Sequence, residues 1–192
     1  MSSLDRLLSE IRQCTACRES LPHPPRPVLV AQQDARILIM GQAPGLRVHQ
    51  SGIAWDDPSG QRLRQWMNVD RETFYDASKV ALVPMGFCYP GTGSQGDLPP
   101  RKECAEIWHE RLLAKLEQVQ LTLVIGRYAQ QYRLGENNKA TLTETVQCWS
   151  EFAPELIPLP HPSPRNNRWL KRNPFFERDV VPYLADRIQD LL

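Results

Sequence analysis

Arg36-Ile37-Leu38-Ile39-Met40, followed at once by Gly41-Gln42-Ala43-Pro44-Gly45, decides the fold. A run of consecutive apolar residues that stops at a Gly- and Pro-containing loop reads as a short strand buried on both faces, as strands of parallel sheets are. The pattern recurs downstream. Val80 to Pro84 is near-continuously apolar and leads into a long Gly- and Pro-rich loop over 86–100. Leu121 to Ile125 repeats it, and Glu155 to Leu159 runs into Pro160-His161-Pro162-Ser163-Pro164-Arg165-Asn166. Helical patterns separate these runs. Ser59 to Met67 carries Leu63, Trp66 and Met67 on one side. Arg101 to Glu117 starts after Pro99-Pro100, with Ile107, Trp108, Leu112 and Leu116 as its apolar face. Arg127 to Arg133 is closed by Gly135, and Thr141 to Trp149 forms another helix. A short helix over 3–12 opens the chain. A proline-rich loop over 18–35 leaves room for a short strand at Val28 to Val30, and the tail after Asn173-Pro174 is helical with a kink at Pro182. Strands alternating with helices predict an α/β fold: a three-layer α/β/α sandwich with a central four-stranded parallel sheet, in a single domain spanning 1–192.

Composition narrows the class. A chain of 192 residues buries one substantial core, and 41% hydrophobic with 23% charged residues is ordinary for a soluble globular protein. A net charge of +1 gives no global basic signal, so nucleic acid would bind a local patch. Acids near the N-terminus and the helical spacing of Leu4, Leu7, Leu8 and Ile11 argue against a signal peptide. No apolar run approaches the ~20 residues that span a bilayer. A cytoplasmic monomer without membrane contact is expected. In that compartment five cysteines are a poor disulfide framework. They read as metal ligands or buried apolar residues: Cys14 and Cys17 form a CxxC after the first helix, fifteen residues separate Cys88 from Cys104, and Cys148 stands alone beside Trp149.

The chemistry concentrates at two loops on strand ends, where open α/β sheets bind ligands. His161 sits at one in a proline frame; it either serves a ligand or satisfies a backbone carbonyl in the turn. Gly41 and Gly45 at the other allow tight turning and close backbone approach, for a ligand or for a plain strand-to-helix turn. Gln42 is the polar side chain of that loop. Trp55 is either a stacking face or core. Asp56 and Asp57 precede the helix that Pro58-Ser59 opens; one positions a water or caps that helix, Asp57 being the better cap. Arg165, Arg168, Lys171 and Arg172 surround Trp169 and read as phosphate contacts around an inserted side chain, or as a solvated helix face.

Gly41-Gln42-Ala43-Pro44-Gly45 after the first strand, paired with His161-Pro162-Ser163 after the last, resembles the motif pair of the uracil-DNA glycosylase superfamily. The cysteine spacing resembles its iron–sulfur-containing family 4 members, and Gly52 to Leu63 resembles the stretch that carries a base-stacking aromatic and then opens a helix. His161 to Asn166 is closer to the single-strand-selective branch. The resemblance runs from about Cys14 to the last helix. It implies a monofunctional DNA glycosylase, a hydrolase of DNA repair acting on a flipped damaged base. His161 would then stabilise the departing base, with Gln42 and Asp56 positioning water. Gly41, Ala43, Trp55 and Asn166 would hold the base, with Asn167 as a further amide near it. Ser163, Arg165, Arg168 and Lys171 would contact DNA. Cys14, Cys17, Cys88 and Cys104 would hold a [4Fe–4S] cluster, structural zinc being the rival, and Cys148 would be a buried apolar residue. The pattern is departed from at three positions. Gln42 replaces a Glu, Ala43 replaces an Asp or Asn, and Pro84 falls where an asparagine would read the base edge. A damaged-DNA-binding protein with weak or lost catalysis is the alternative implied.

Overall fold

Four parallel strands form the centre of the computed structural model, which describes residues 2–94 and 96–192. They are β1 (Ile37–Met40), β2 (Val80–Leu82), β3 (Leu121–Ile125) and β4 (Leu156–Leu159), paired side by side in the order β2-β1-β3-β4. Ile37 stands opposite Val80 on one side and Leu121 on the other, while Thr122 faces Leu156. The chain moves outward in both directions from the β1–β3 pair. This reversal opens a crevice beyond the carboxyl ends of those strands.

Alternation along the strands sorts the core into two layers. Ile37, Ile39, Leu121, Leu123, Ile125, Ile157 and Leu159 face a layer built with Leu63, Trp66 and Met67 of helix Pro58–Met67 and with Phe176, Leu184 and Ile188 near the C-terminus. Leu38, Met40 and Val124 face the opposite layer, formed with Leu4, Leu7, Leu8 and Ile11 of helix Ser3–Arg12 and with Leu112. The α/β/α sandwich around a four-stranded parallel sheet is therefore present. Helices of about ten residues are marginal alone. What holds Ser3–Arg12 is its buried apolar stripe, at roughly 1.5–3 kcal/mol per fully buried side chain. A capping box between Ser2 and Asp5 fixes where it starts.

Several boundaries differ from the expectation. Val28–Val30 makes only an isolated bridge, Val30 to Leu82. The loop over 86–100 contains a two-residue antiparallel ribbon, Thr92–Gly93 with Gly96–Asp97. Helices Leu46–Ser51 and Arg71–Tyr75 were not foreseen. The helix placed over 101–117 ends at Leu113 and contains a π-helical turn at Ala105–His109. One extra residue in that turn rotates the face. Ile107, expected inside, is 40% exposed, whereas His109 is fully buried. The helix placed over Thr141 to Trp149 stops at Gln147, which leaves Cys148 half-buried as its C-cap and not in the core. Pro182 sits in the first turn of Val181–Gln189, where its missing N–H costs nothing. The irregularity is the π-helical turn Phe176–Val180 just before it. Among the described residues no helix is long and apolar enough to cross a membrane.

Candidate active site

A pocket opens beyond the carboxyl ends of the sheet, lined by residues that follow β1, β2 and β4. The loop Gly41–Gly45 and Pro84 form one side, His161 faces them, and Trp55 and Asp57 approach from the segment that enters helix Pro58–Met67. The β1 and β2 sides are joined past the ends of their strands. The Met85 N–H donates to the Gly41 carbonyl and the Gly86 N–H to the Gln42 carbonyl, each at 2.9 Å. The two loops expected from sequence to build one site therefore do converge.

Trp55 is held by backbone closeness on two sides. A Cβ on Gly41 would meet the Trp55 indole at 2.7 Å, and one on Gly60 would meet the Trp55 carbonyl oxygen at 1.8 Å. At Gly60 the neighbour is backbone and only glycine fits; at Gly41 it is the end of a side chain, which a larger residue would displace. Trp55 itself lies at φ 58, a left-handed conformation that costs a non-glycine residue on the order of 1–3 kcal/mol and persists only where surroundings enforce it. The Tyr75 hydroxyl contributes by donating to the Ala54 carbonyl at 2.9 Å. The outcome is an indole stacked on the His161 imidazole, centroids 5.7 Å apart and planes 28° from parallel.

His161 is oriented by its own loop. Its Nδ1 accepts the Ser163 N–H at 3.2 Å, so the neutral ring carries its proton on Nε2. Burial lowers its pKa, against the opposing pull of the Asp57 and Asp97 carboxylates. A neutral imidazole with a free N–H is thereby favoured near neutral pH. Beneath it the buried Gln130 amide donates to the carbonyls of Leu159, at 2.9 Å, and of Val124, at 3.4 Å. It ties the end of β3 to the strand that delivers His161.

Asp57 lines the pocket and caps helix Pro58–Met67 by accepting the Gly60 N–H through Oδ1 at 2.8 Å. Asp56 is directed elsewhere. Its carboxylate pairs with Arg71 at 3.1 Å and it is not among the pocket's lining residues. Gln42 and Ala43 line the pocket, the Gln42 amide donating to the Leu98 carbonyl at 3.3 Å. Asn166 is not brought in: its amide donates to the His161 carbonyl at 2.7 Å and so stiffens the loop, while Asn167 is exposed. The Ser163 hydroxyl accepts from the Arg165 N–H at 3.3 Å, and the Arg62 guanidinium donates to the Ser163 carbonyl at 3.3 Å. Arg165 folds back against Gly96 of the ribbon. Arg168 and Lys171 are exposed on helix Asn167–Arg172. Trp169, between them, turns inward: its Nε1–H donates to Thr143 Oγ1 at 2.8 Å and its ring packs on Phe176, so it is not an inserting side chain.

The four cysteines of the family-like spacing line a second, small enclosed cavity, with Leu21, Pro25 and Phe87 as apolar walls. Burial pushes Cys88 up to about 11 and Cys104 up to about 12, and raises Cys17, beside which the Arg101 guanidinium acts in the opposite sense. The Phe87 N–H donates to Cys104 Sγ at 3.4 Å. Among the described residues, no three His, Cys, Asp or Glu side chains stand in metal-ligating geometry. As a donor set, four thiols in an apolar niche with one nearby cation suit a group that takes thiolates.

Gln130 and Arg62 were missed from sequence. Nothing local marks either, because each acts on a backbone carbonyl far along the chain. Beyond these geometric findings, the family model described as Uracil DNA glycosylase superfamily matches residues 28–185.

Proposed function

The chain belongs to the uracil DNA glycosylase superfamily, and we propose that it is a monofunctional DNA-repair glycosylase. It hydrolyses the N-glycosidic bond of a flipped deaminated base, uracil being the first candidate. The observation that carries this reading is the single pocket joining the Gly41–Gly45 loop, a stacked Trp55 and an oriented His161.

Cleavage of the glycosidic bond leaves its electron pair on the base and positive charge on the sugar. Water then adds at the anomeric carbon and gives up a proton, which the departing base anion takes up, so the products are the free base and an abasic site. The Nε2–H of neutral His161 donates to the base oxygen on which negative charge grows, an interaction strongest in the transition state. Trp55 supplies the wall against which the base stacks, worth about 1–3 kcal/mol. With Gln42 in place of a carboxylate and Ala43 apolar, the acid that lines the pocket is Asp57. One of its oxygens is committed to the helix cap and the other is left to orient water and oppose the sugar cation. Exposed Arg168 and Lys171 contact phosphates from one side. The protein acts as a monomer in this reading.

Cys14, Cys17, Cys88 and Cys104 would hold a [4Fe–4S] cluster, zinc being the rival occupant. Such a group would tie the segment after the first helix, the segment after β2 and the helix Lys102–Cys104 together, with no part in bond cleavage.

A second reading is favoured by Ala43 and Pro84: a protein that binds damaged DNA without cutting the bond. Oligonucleotides carrying uracil, hypoxanthine, xanthine or an oxidised pyrimidine, single- and double-stranded, separate the two. Alkali-labile breaks that His161→Ala abolishes support the enzyme. Gel shifts specific for the damaged base, without breaks on any substrate, support the binder.

A further inference from the structure

A groove runs past the far side of the segment whose Pro84 lines the pocket, and its construction is aromatic and cationic. Met85 is its inner wall, Pro99 and Pro100 form one bank, and Tyr128 and Tyr132 of helix Gly126–Leu134 form the other. Lys102 and Glu106 stand at its edge. Tyr132 is 40% exposed yet anchored from behind. Its ring meets the edge of buried His109 at 5.3 Å, and His109 lies flat on Phe87 at 5.3 Å with planes 10° apart. Tyr128 is covered by the Arg127 guanidinium, 5.0 Å from its centroid. These are aromatic faces fixed before any ligand arrives. The inner wall of the groove, Met85, directly follows Pro84 of the candidate site in the chain. Leu98, 44% exposed, continues the apolar path, and its carbonyl receives Gln42 of the pocket loop.

We propose that this groove receives an unpaired base of the same DNA strand, next to the nucleotide held in the pocket. The base stacks on Tyr132, and a flanking phosphate meets Lys102. The inference rests on the glycosylase reading and deepens it, because it makes a single strand the preferred partner. Stacking on fixed rings is indifferent to which base is present, so the groove adds affinity without adding sequence preference. Cations at its edge make that affinity salt-dependent.

Fluorescence anisotropy with single-stranded oligonucleotides carrying a tetrahydrofuran abasic analogue tests it, using short strands and strands extended by a few nucleotides on either side. The full chain is expected to bind tighter on extension toward one end only. Tyr132→Ala should remove that gain, about tenfold in Kd for one stacked base, while Tyr132→Phe keeps it and Lys102→Glu weakens it in a salt-dependent way. Equal binding of the extended strand by wild type and by Tyr132→Ala, with unchanged melting temperatures, overturns the groove while leaving the glycosylase reading intact. So does a change of oligomeric state in Tyr132→Ala, which would make this face a self-contact. Failure of wild type to bind or cut any modified strand of either length overturns both.

Discussion

The indole of Trp55 lies across the imidazole of His161 at 5.7 Å, and the two residues are brought together by segments 106 positions apart in the chain. His161 is aimed by the Ser163 N–H, which occupies its Nδ1. His161→Ala is therefore expected to slow single-turnover excision by about 10²–10³ and to leave the melting temperature nearly unchanged. Protonation of His161 would put a second N–H against that of Ser163. Since burial lowers its pKa below the ordinary 6.5, activity should persist at and above that pH and fall only on a limb further to the acid side. A pH–rate profile of kcat that keeps its acid limb in His161→Ala sinks the assignment.

Asp57 has two duties that substitution separates. Asn caps a helix nearly as well as Asp but carries no charge. Asp57→Asn should retain wild-type stability and lose excision rate, with KM little affected. Asp57→Ala should lose the rate and about 1 kcal/mol of stability as well, read by urea unfolding. Full activity in Asp57→Asn would assign the residue to the cap alone.

His109 ties stability to pH. Its pKa is lowered from 6.5 to about 4, chiefly by burial, which outweighs the nearby carbonyls of Pro84 and Met85. The unfolded chain therefore binds more protons between these values, and stability rises with pH across that window. The full contribution is present above pH 6.5, and on the order of 3 kcal/mol is lost as pH falls toward 4. His109→Phe, which preserves the stack on Phe87, should flatten the dependence in denaturant titrations at pH 4, 5, 6 and 7.

Gly60→Ala places a methyl 1.8 Å from the Trp55 carbonyl oxygen, with backbone on both sides of the clash. Loss of several kcal/mol is expected, and with it the left-handed turn at Trp55. Gly41→Ala meets the end of the indole instead, a side chain that can give way. It should fold, show altered tryptophan emission and lose activity. Emission and excision both unchanged in Gly41→Ala would contradict this packing.

For the cysteine cavity, anaerobically purified protein is expected to carry iron and sulfide in equal amount, with broad visible absorbance. Cys104→Ser should lose both and melt at lower temperature, since Cys104 is the most buried of the four. Stoichiometric zinc without iron would assign the cavity to the rival metal.

Strands β1 to β4 were legible because each is a short apolar run stopped by Gly or Pro, and a sheet buried on both faces permits little else. The pocket was legible for the same reason, since its loops begin where those runs stop. The π-helical turn at Ala105–His109 was not. Reading the helix with a constant 3.6-residue period put Ile107 inside, and the extra residue in the turn puts His109 there. Asp56 and Asp57 are adjacent, and the sequence marks Asp57 as the better cap without showing which carboxylate faces the pocket. What separates them is that Arg71 draws one carboxylate outward while the Gly60 N–H holds the other at the helix start. Asn166 looked like a base reader because amides read base edges, yet the nearest acceptor is the His161 carbonyl in its own loop.

The two hydrogen bonds from Met85 and Gly86 to Gly41 and Gln42 carry strand-like pairing past the point where β1 and β2 end. The mouth of the pocket is thus unevenly stiff. Its 41–45 and 84–86 lips are laced into the sheet and share its rigidity. The 161–166 lip has no such backbone pairing to the sheet among the described residues and is fastened by side chains: hydrogen bonds within itself, the Arg62 guanidinium, the Trp55 indole on His161 and Arg165 against Gly96. An incoming nucleotide meets a fixed anvil on one side and a compliant arm on the other. Substitutions in the laced lip should change how tightly substrates fit. Those in the arm should change how fast the complex forms and opens.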